Sequence, residues 1–135
     1  MTLNELMIVV LIVSVTAALA IPTYVKAVER ARGDEALGML RLLRAAEKVY
    51  YFDNNDFYTD LTVAAPGPLV TAGYIQNPNG DPGRAFDYDV AENNAANPSS
   101  FAATATRRSG CNVNETVTLD DLGNQAGSWT IPCGP

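Results

Sequence analysis

The chain has 135 residues, 47% of them hydrophobic and 18% charged, with 15 acidic against 9 basic side chains, no histidine and a net charge of −6. That length holds one domain, or a stalk with one small head. The acidic balance argues against a nucleic-acid-binding surface, which needs Lys and Arg to neutralise phosphates, and the lack of histidine removes the most common acid–base and metal-binding side chain.

Residues 1–21 carry one charged side chain, Glu5, and the next is Lys26. As a helix rising ~1.5 Å per residue, this run spans roughly 30 Å, enough to cross a hydrocarbon core. A charge inside such a helix is costly and usually functional. Glu5 also lies four residues from the chain's own amino terminus, so a bundle of staggered copies can supply each acid with a neighbour's amine. The run reads as a membrane anchor that also drives polymerisation. A secretory signal starts with basic residues; none precedes this run, which points to a processed end from which a basic leader has been removed.

Charge is unevenly placed. From Lys26 to Lys48 there are six basic and four acidic residues, and from Asp53 onward three basic and ten acidic. Basic residues flank the cytoplasmic end of a membrane helix, so the Lys26–Arg32 cluster alone would orient an exported head wrongly. A basic leader on the other side resolves the conflict.

Pro22 removes a helical hydrogen bond and predicts a kink or local weakening, and Val13-Ser14-Val15-Thr16 just before it has modest helix propensity. From Thr23 to about Tyr51 the pattern is amphipathic: Ala36, Met39, Leu40, Leu43, Ala46 and Tyr50 fall at helical spacings on one stripe. Arg30–Asp34 is a candidate i,i+4 ion pair worth a few tenths of a kcal/mol. Together these residues predict one helix of about 50 residues, roughly 75–80 Å long. Phe52-Asp53-Asn54-Asn55-Asp56 ends it with turn formers. Thr59 to Gly83, with prolines at 66, 68, 78 and 82, predicts a loop with a turn or two of helix.

Beyond the loop the period becomes two. Phe86, Tyr88 and Val90 alternate with Asp87 and Asp89; Phe101, Ala103 and Ala105 with small or hydroxyl residues; Val117 and Leu119 with threonines; Trp129 and Ile131 close the series. Four short strands with Asn/Gly/Pro turns imply an antiparallel sheet with one buried face. The predicted fold is α+β, the C-terminal half of a long N-terminal helix packing on that sheet. Its parts are a membrane or filament-core helix over 1–25, the amphipathic half over 26–53, a connecting loop over 54–83, and the sheet over 84–135. Cys111 and Cys133, without histidine, leave a zinc shell half empty. In an exported chain they read as a disulfide, worth on the order of 3–4 kcal/mol by loop closure.

The opening Thr-Leu-x-Glu-Leu-Met-Ile-Val, the apolar run and Ala-Ile-Pro at 20–22 resemble the mature N-terminus of a type IV pilin, closely over residues 1–25. A looser resemblance extends to Asp56-Phe57-Tyr58 and to Phe101–Thr106 and Thr116–Asp120 in the sheet. Two positions depart from the family pattern: Met1 stands where Phe is usual, and Asn4 where an aliphatic residue is usual. The resemblance implies a structural subunit that polymerises helically into an extracellular filament. A prepilin peptidase would cut before Met1 and methylate its amine, and Glu5 would neutralise the amine of a neighbouring subunit. Ser14 to Pro22 would match the segment that loses helical hydrogen bonding in filaments, and Cys111 and Cys133 would bracket a disulfide-bonded surface region. The implied partners are identical subunits, a cytoplasmic assembly ATPase and an inner-membrane platform protein. The subunit would sit in the inner membrane before assembly and on the cell surface afterwards, with no cofactor and no direct nucleic-acid site. The alternatives are a type II secretion pseudopilin, a minor pilin, or a monomeric membrane-anchored binding protein.

The remaining candidates have plainer readings. Tyr24, Tyr50, Tyr51, Phe52, Phe57 and Tyr58 read as packing aromatics rather than a conducting path. Asp53, Asn55, Asp56 and Asp60 offer oxygen ligands for calcium, but their spacing fits a solvated turn and no metal site is assigned. Arg107-Arg108 reads as a solvated strand end or a contact to a neighbour's acidic head. Asn114-Glu115-Thr116 matches the N-x-[ST] glycosylation pattern, as three residues often do by chance. No catalytic residue is assigned: there is no phosphate loop and no nucleophile with an evident base, and Asp87 and Asp89 share a solvent-facing side. The chain does not read as an enzyme.

Overall fold

The computed structural model describes residues 2–54, 58–95, 99–110 and 112–127. Met1, Asn55, Asp56, Phe57, Cys111, Trp129, Ile131 and Cys133, all invoked above, lie outside these residues. The long helix α1 runs Leu3–Asp53 without interruption, 51 residues. Its buried positions, Glu29, Gly33, Ala36, Leu40, Leu43, Ala46 and Glu47, recur at steps of three and four and so lie on one face. The Asn54 amide and side chain both donate to the Tyr50 carbonyl at 2.9 and 3.0 Å, closing the last turn. Arg30–Asp34 is not among the ion pairs of the described residues. Both side chains are exposed, where water competes well with such a pair; Arg32 pairs with Glu29 instead, at 2.9 Å.

The short helix α2, Gly67–Thr71, sits in the connecting loop and buries Leu69. Four strands follow: β1 Phe86–Asn93, β2 Ser100–Arg107, β3 Thr116–Asp120 and β4 Gln125–Gly127, in sheet order β1-β2-β3-β4 and antiparallel throughout. The architecture is α+β, a long N-terminal helix on a four-stranded antiparallel sheet. The fourth strand is described over Gln125–Gly127; Trp129 and Ile131 lie outside the described residues. Asp120 accepts the Asn124 amide through its carboxylate at 2.6 Å and the Gly123 amide through its carbonyl at 3.0 Å. Gly123 takes φ +93°, so the chain reverses at once and pairing resumes at Gln125.

Helix α1 packs on β2 and β3. Ala103 and Ala105 are fully buried there, and their small side chains let the helix approach the sheet closely with its buried Leu40 and Leu43. At the C-terminal end of the helix, Tyr58 stacks on Tyr51 at 4.5 Å and leans on Phe101 at 4.7 Å.

The outer edge of β1 is covered along its length. Leu61 exchanges two backbone hydrogen bonds with Val90, at 3.1 and 2.7 Å. The Asn79 amide mimics a second strand residue, donating to the Tyr88 carbonyl at 2.7 Å and accepting the Tyr88 N–H at 2.9 Å. Asp60 accepts the Glu92 N–H at 3.0 Å.

Candidate functional site

The apolar first half of α1 is the site the sequence singled out. Its best 18-residue window has a mean hydropathy of 2.5, and none of that window is buried. Leu3, Ile8, Leu11 and Leu19 are 55 to 80% exposed. About a dozen large apolar side chains left in water would cost on the order of 20–40 kcal/mol, so this surface requires lipid or protein around it. Glu5 holds the N-terminus through a capping box. The Thr2 amide donates to its carboxylate at 2.8 Å, and the Glu5 amide donates to the Thr2 hydroxyl at 3.4 Å. The carboxylate therefore sits at the positive end of the helix dipole, held at a fixed height on the rod.

Farther along, the hydroxyls fold back onto the helix. Ser14 donates to the Leu11 carbonyl at 2.8 Å, Thr16 to Ile12 and Val13 at 3.0 Å each, and Thr23 to Leu19 at 3.3 Å. Pro22 stands inside the helix and offers no N–H to the preceding turn. The described helix nonetheless runs through it unbroken.

The first buried residue of α1 is Glu29, and its partner corrects the reading of Arg107. Arg107 is fully buried, not a solvated strand end. Phe101, Ala103, Ala105 and Arg107 are all inward-facing on β2, so strand alternation carries the guanidinium under the helix. There it donates to Glu29 at 2.6 Å and lies over the Phe86 ring at 5.0 Å. Glu29 also accepts from Arg32 at 2.9 Å. Gly110 is required beside this group: its φ is +100°, and a Cβ there would run into the guanidinium. Arg108 is exposed and donates to the Pro82 carbonyl at 3.3 Å.

The other end of the stripe also carries a carboxylate, which the sequence reading passed over. Glu47 is fully buried; its Oε2 accepts the Thr59 amide at 3.1 Å, and Oε1 finds no donor among the described residues. Burial pushes its pKa up to about 7, against the pull of the Thr59 hydrogen bond and helped by Asp60 and Glu92. Extending the stripe from Ala36 and Leu43 by further steps of three and four reaches Glu29 and Glu47, so the signal was present in the spacing.

Among the acidic-turn candidates, Asp53 accepts from the Tyr74 hydroxyl at 3.0 Å while Asp60 serves the β1 edge, so the two do separate work. Asn114 is exposed in the β2–β3 turn at φ +73° and donates its amide to the Arg107 carbonyl at 2.9 Å. Met1, Cys111 and Cys133 were assigned roles that fall outside the described residues.

Over 59 residues, amounting to 44% of this chain and 26% of the relative, the sequence is 44% identical to the type IV major pilin protein PilA of Myxococcus xanthus (strain DK1622). The match thus spans about a quarter of that protein's length. No protein-family model matches the chain, and no solved structure matches it at a significant level. The similarity to the pilin supports a type IV pilin family, and the long helix on a four-stranded antiparallel sheet is consistent with that fold.

Proposed function

We propose that this chain, a pilin subunit by that similarity, polymerises helically into an extracellular type IV filament. The observation that supports this most is the wholly exposed apolar half of α1 with Glu5 as its one charge. Lipid solvates that surface before assembly, and the equivalent helices of other subunits cover it afterwards. Moving between the two requires an external energy source, which a cytoplasmic ATPase acting through an inner-membrane platform would supply. Glu5 sets the stagger by meeting the amine of a neighbouring copy, whose Met1 a prepilin peptidase would expose and methylate. Ser14 to Pro22 gives the core helix its weak point, because the proline leaves one carbonyl without its helical donor. The Cys111–Cys133 disulfide hardens the outer surface. The role is structural, not catalytic.

Electron microscopy of filaments sheared from producing cells, with intact-mass analysis of their main protein, tests this reading. Thin filaments built of this chain, lost in Glu5→Ala cells whose membranes still hold the protein, are the expected result. A chain that stays monomeric in the envelope and tolerates Glu5→Ala would be a plain membrane-anchored protein. Retention in the envelope with a calcium-dependent melting temperature would indicate a pseudopilin.

A further inference from the structure

The buried carboxyl at the head end of the stripe plays no part in assembly as proposed above, yet it holds a strategic segment. Residues 58–61 cross from the end of α1 to the edge of β1: Tyr58 packs on Tyr51 and Phe101 and exchanges two hydrogen bonds with the Asn94 side chain, Thr59 donates to Glu47, Asp60 accepts from Glu92, and Leu61 pairs with Val90. Among the described residues the Thr59 bond is the only polar tie between this strap and α1, and its acceptor is a fully buried acid with one oxygen unserved. A buried ionised carboxylate needs several donors to offset lost hydration, whereas its neutral form needs few.

Among the described residues no cation pairs with Glu47. Its own helix places Arg44 three residues before it and Tyr51 four after; the Arg44 side chain donates instead to the Asp121 carbonyl at 3.1 Å. The strap brings Tyr58 and Asp60, β1 brings Glu92, and the turn after β3 brings Asp121. Asp60 and Glu92 disfavour a second negative charge at Glu47, and Tyr58 senses Asp121, Tyr51, Glu47 and Arg44. Thr59, itself buried, borders a surface cleft of about 480 Å³ together with Asp60 and Glu92.

We propose that Glu47 is a proton-operated latch, closed on the strap when neutral and loosened when ionised, that makes the attachment of residues 58–61 to the helix depend on pH. The direction follows from linkage. The closed state keeps its proton up to about pH 7, and a released strap would lose it near the ordinary 4.5. Closure is therefore strongest below pH 4.5 and weakens as pH rises to about 7, where the effect levels off. Strap opening should increase about tenfold per pH unit across that window, about 300-fold in all.

The test uses the full chain in detergent micelles. Site-resolved carboxyl NMR follows Glu47 from pH 3.5 to 8.5, and amide hydrogen exchange, corrected for its intrinsic pH dependence, follows Thr59, Leu61 and Val90, with Ala105 and Val117 as controls between β2 and β3. The expected results are a Glu47 midpoint near 7, strap opening that rises with pH while the controls hold, and a flat profile in Glu47→Gln. A Glu47 midpoint near 4.5 overturns the proposal without any variant, and so does an unchanged rise in Glu47→Gln. Equal loss of protection at the strap and the controls would also overturn it, because the carboxyl would then tune global stability and not a local latch.

Discussion

Removing the charge from Glu29 should destabilise the head more than removing its partner. Arg107 has no exposed surface, so Glu29→Gln would leave a guanidinium buried without its carboxylate. Breaking a buried pair from one side costs about 3–5 kcal/mol. Arg107→Met leaves a different remnant. Glu29 still meets Arg32 at 2.9 Å, and the Arg32 side chain is 42% exposed, so the acid keeps a solvated partner. Methionine also refills most of the apolar stem volume over Phe86, and the expected cost falls to about 1–3 kcal/mol, that of losing a charged hydrogen bond. Replacing both by apolar residues, Glu29→Leu with Arg107→Met, should return stability to within about 1 kcal/mol of the parent, since buried pairs are often replaceable in that way. Urea unfolding in micelles followed by near-UV circular dichroism measures the three variants. At about 4–8 °C per kcal/mol for a head of this size, Glu29→Gln should lower the Tm by at least about 12 °C. A loss under about 1 kcal/mol for Glu29→Gln, or an equal loss for Arg107→Met, would refute the argument that burial of the guanidinium governs the pair.

Other outcomes follow from the same packing. Leu43→Ala, at a fully buried position on the inner face of α1, should cost about 2–5 kcal/mol in the same unfolding assay. Asn79→Ala should cost about 1–3 kcal/mol for each Tyr88 backbone group it orphans, with faster exchange of the Tyr88 amide as the local signature. Gly110→Ala should cost about 1–3 kcal/mol from its left-handed backbone and an added clash with Arg107, and the clash component should vanish in an Arg107→Met background. Burial, with Glu35 nearby, raises the Tyr88 phenol from 10 to about 12. The folded state therefore favours the neutral form, and stability that is whole below pH 10 should fall as pH rises toward 12. Tyr88→Phe should abolish that alkaline loss as read by unfolding against pH.

The long helix was legible because an apolar run of bilayer length leads straight into one helical period from Thr23 to about Tyr51, and the two middle strands because alternation and burial coincide. Ala36, Leu40, Leu43 and Ala46 are apolar residues on the buried face, so composition and geometry agree there. Arg107 and Glu47 escaped for the opposite reason. Each continues the periodicity of its element with a charged side chain, and hydrophobic pattern-matching stops at the first charge. Trp129 and Ile131, read as the close of the strand series, lie outside the described residues; the fourth-strand pairing that is described starts right after the tight turn at Asp120–Asn124. Gln125–Gly127 carries no hydrophobic alternation to announce it. Glu5 stands out in the sequence as the one acid of a bilayer-length apolar run, and the structure adds its capping contact with Thr2.

The covered edge of β1 bears on how subunits can join and part. A filament made by lending strands from one molecule to the next needs an open edge on each recipient, and losing a subunit then means tearing a sheet. Here the Leu61 bridge and the Asn79 and Asp60 side chains already occupy the places a visiting strand would take, and the opposite edge is only three described residues long. Contacts between copies would therefore fall to helix faces and surface charge, leaving each sheet's hydrogen bonds untouched. A subunit could enter such a polymer already folded and be returned to the membrane in the same state, ready to be used again.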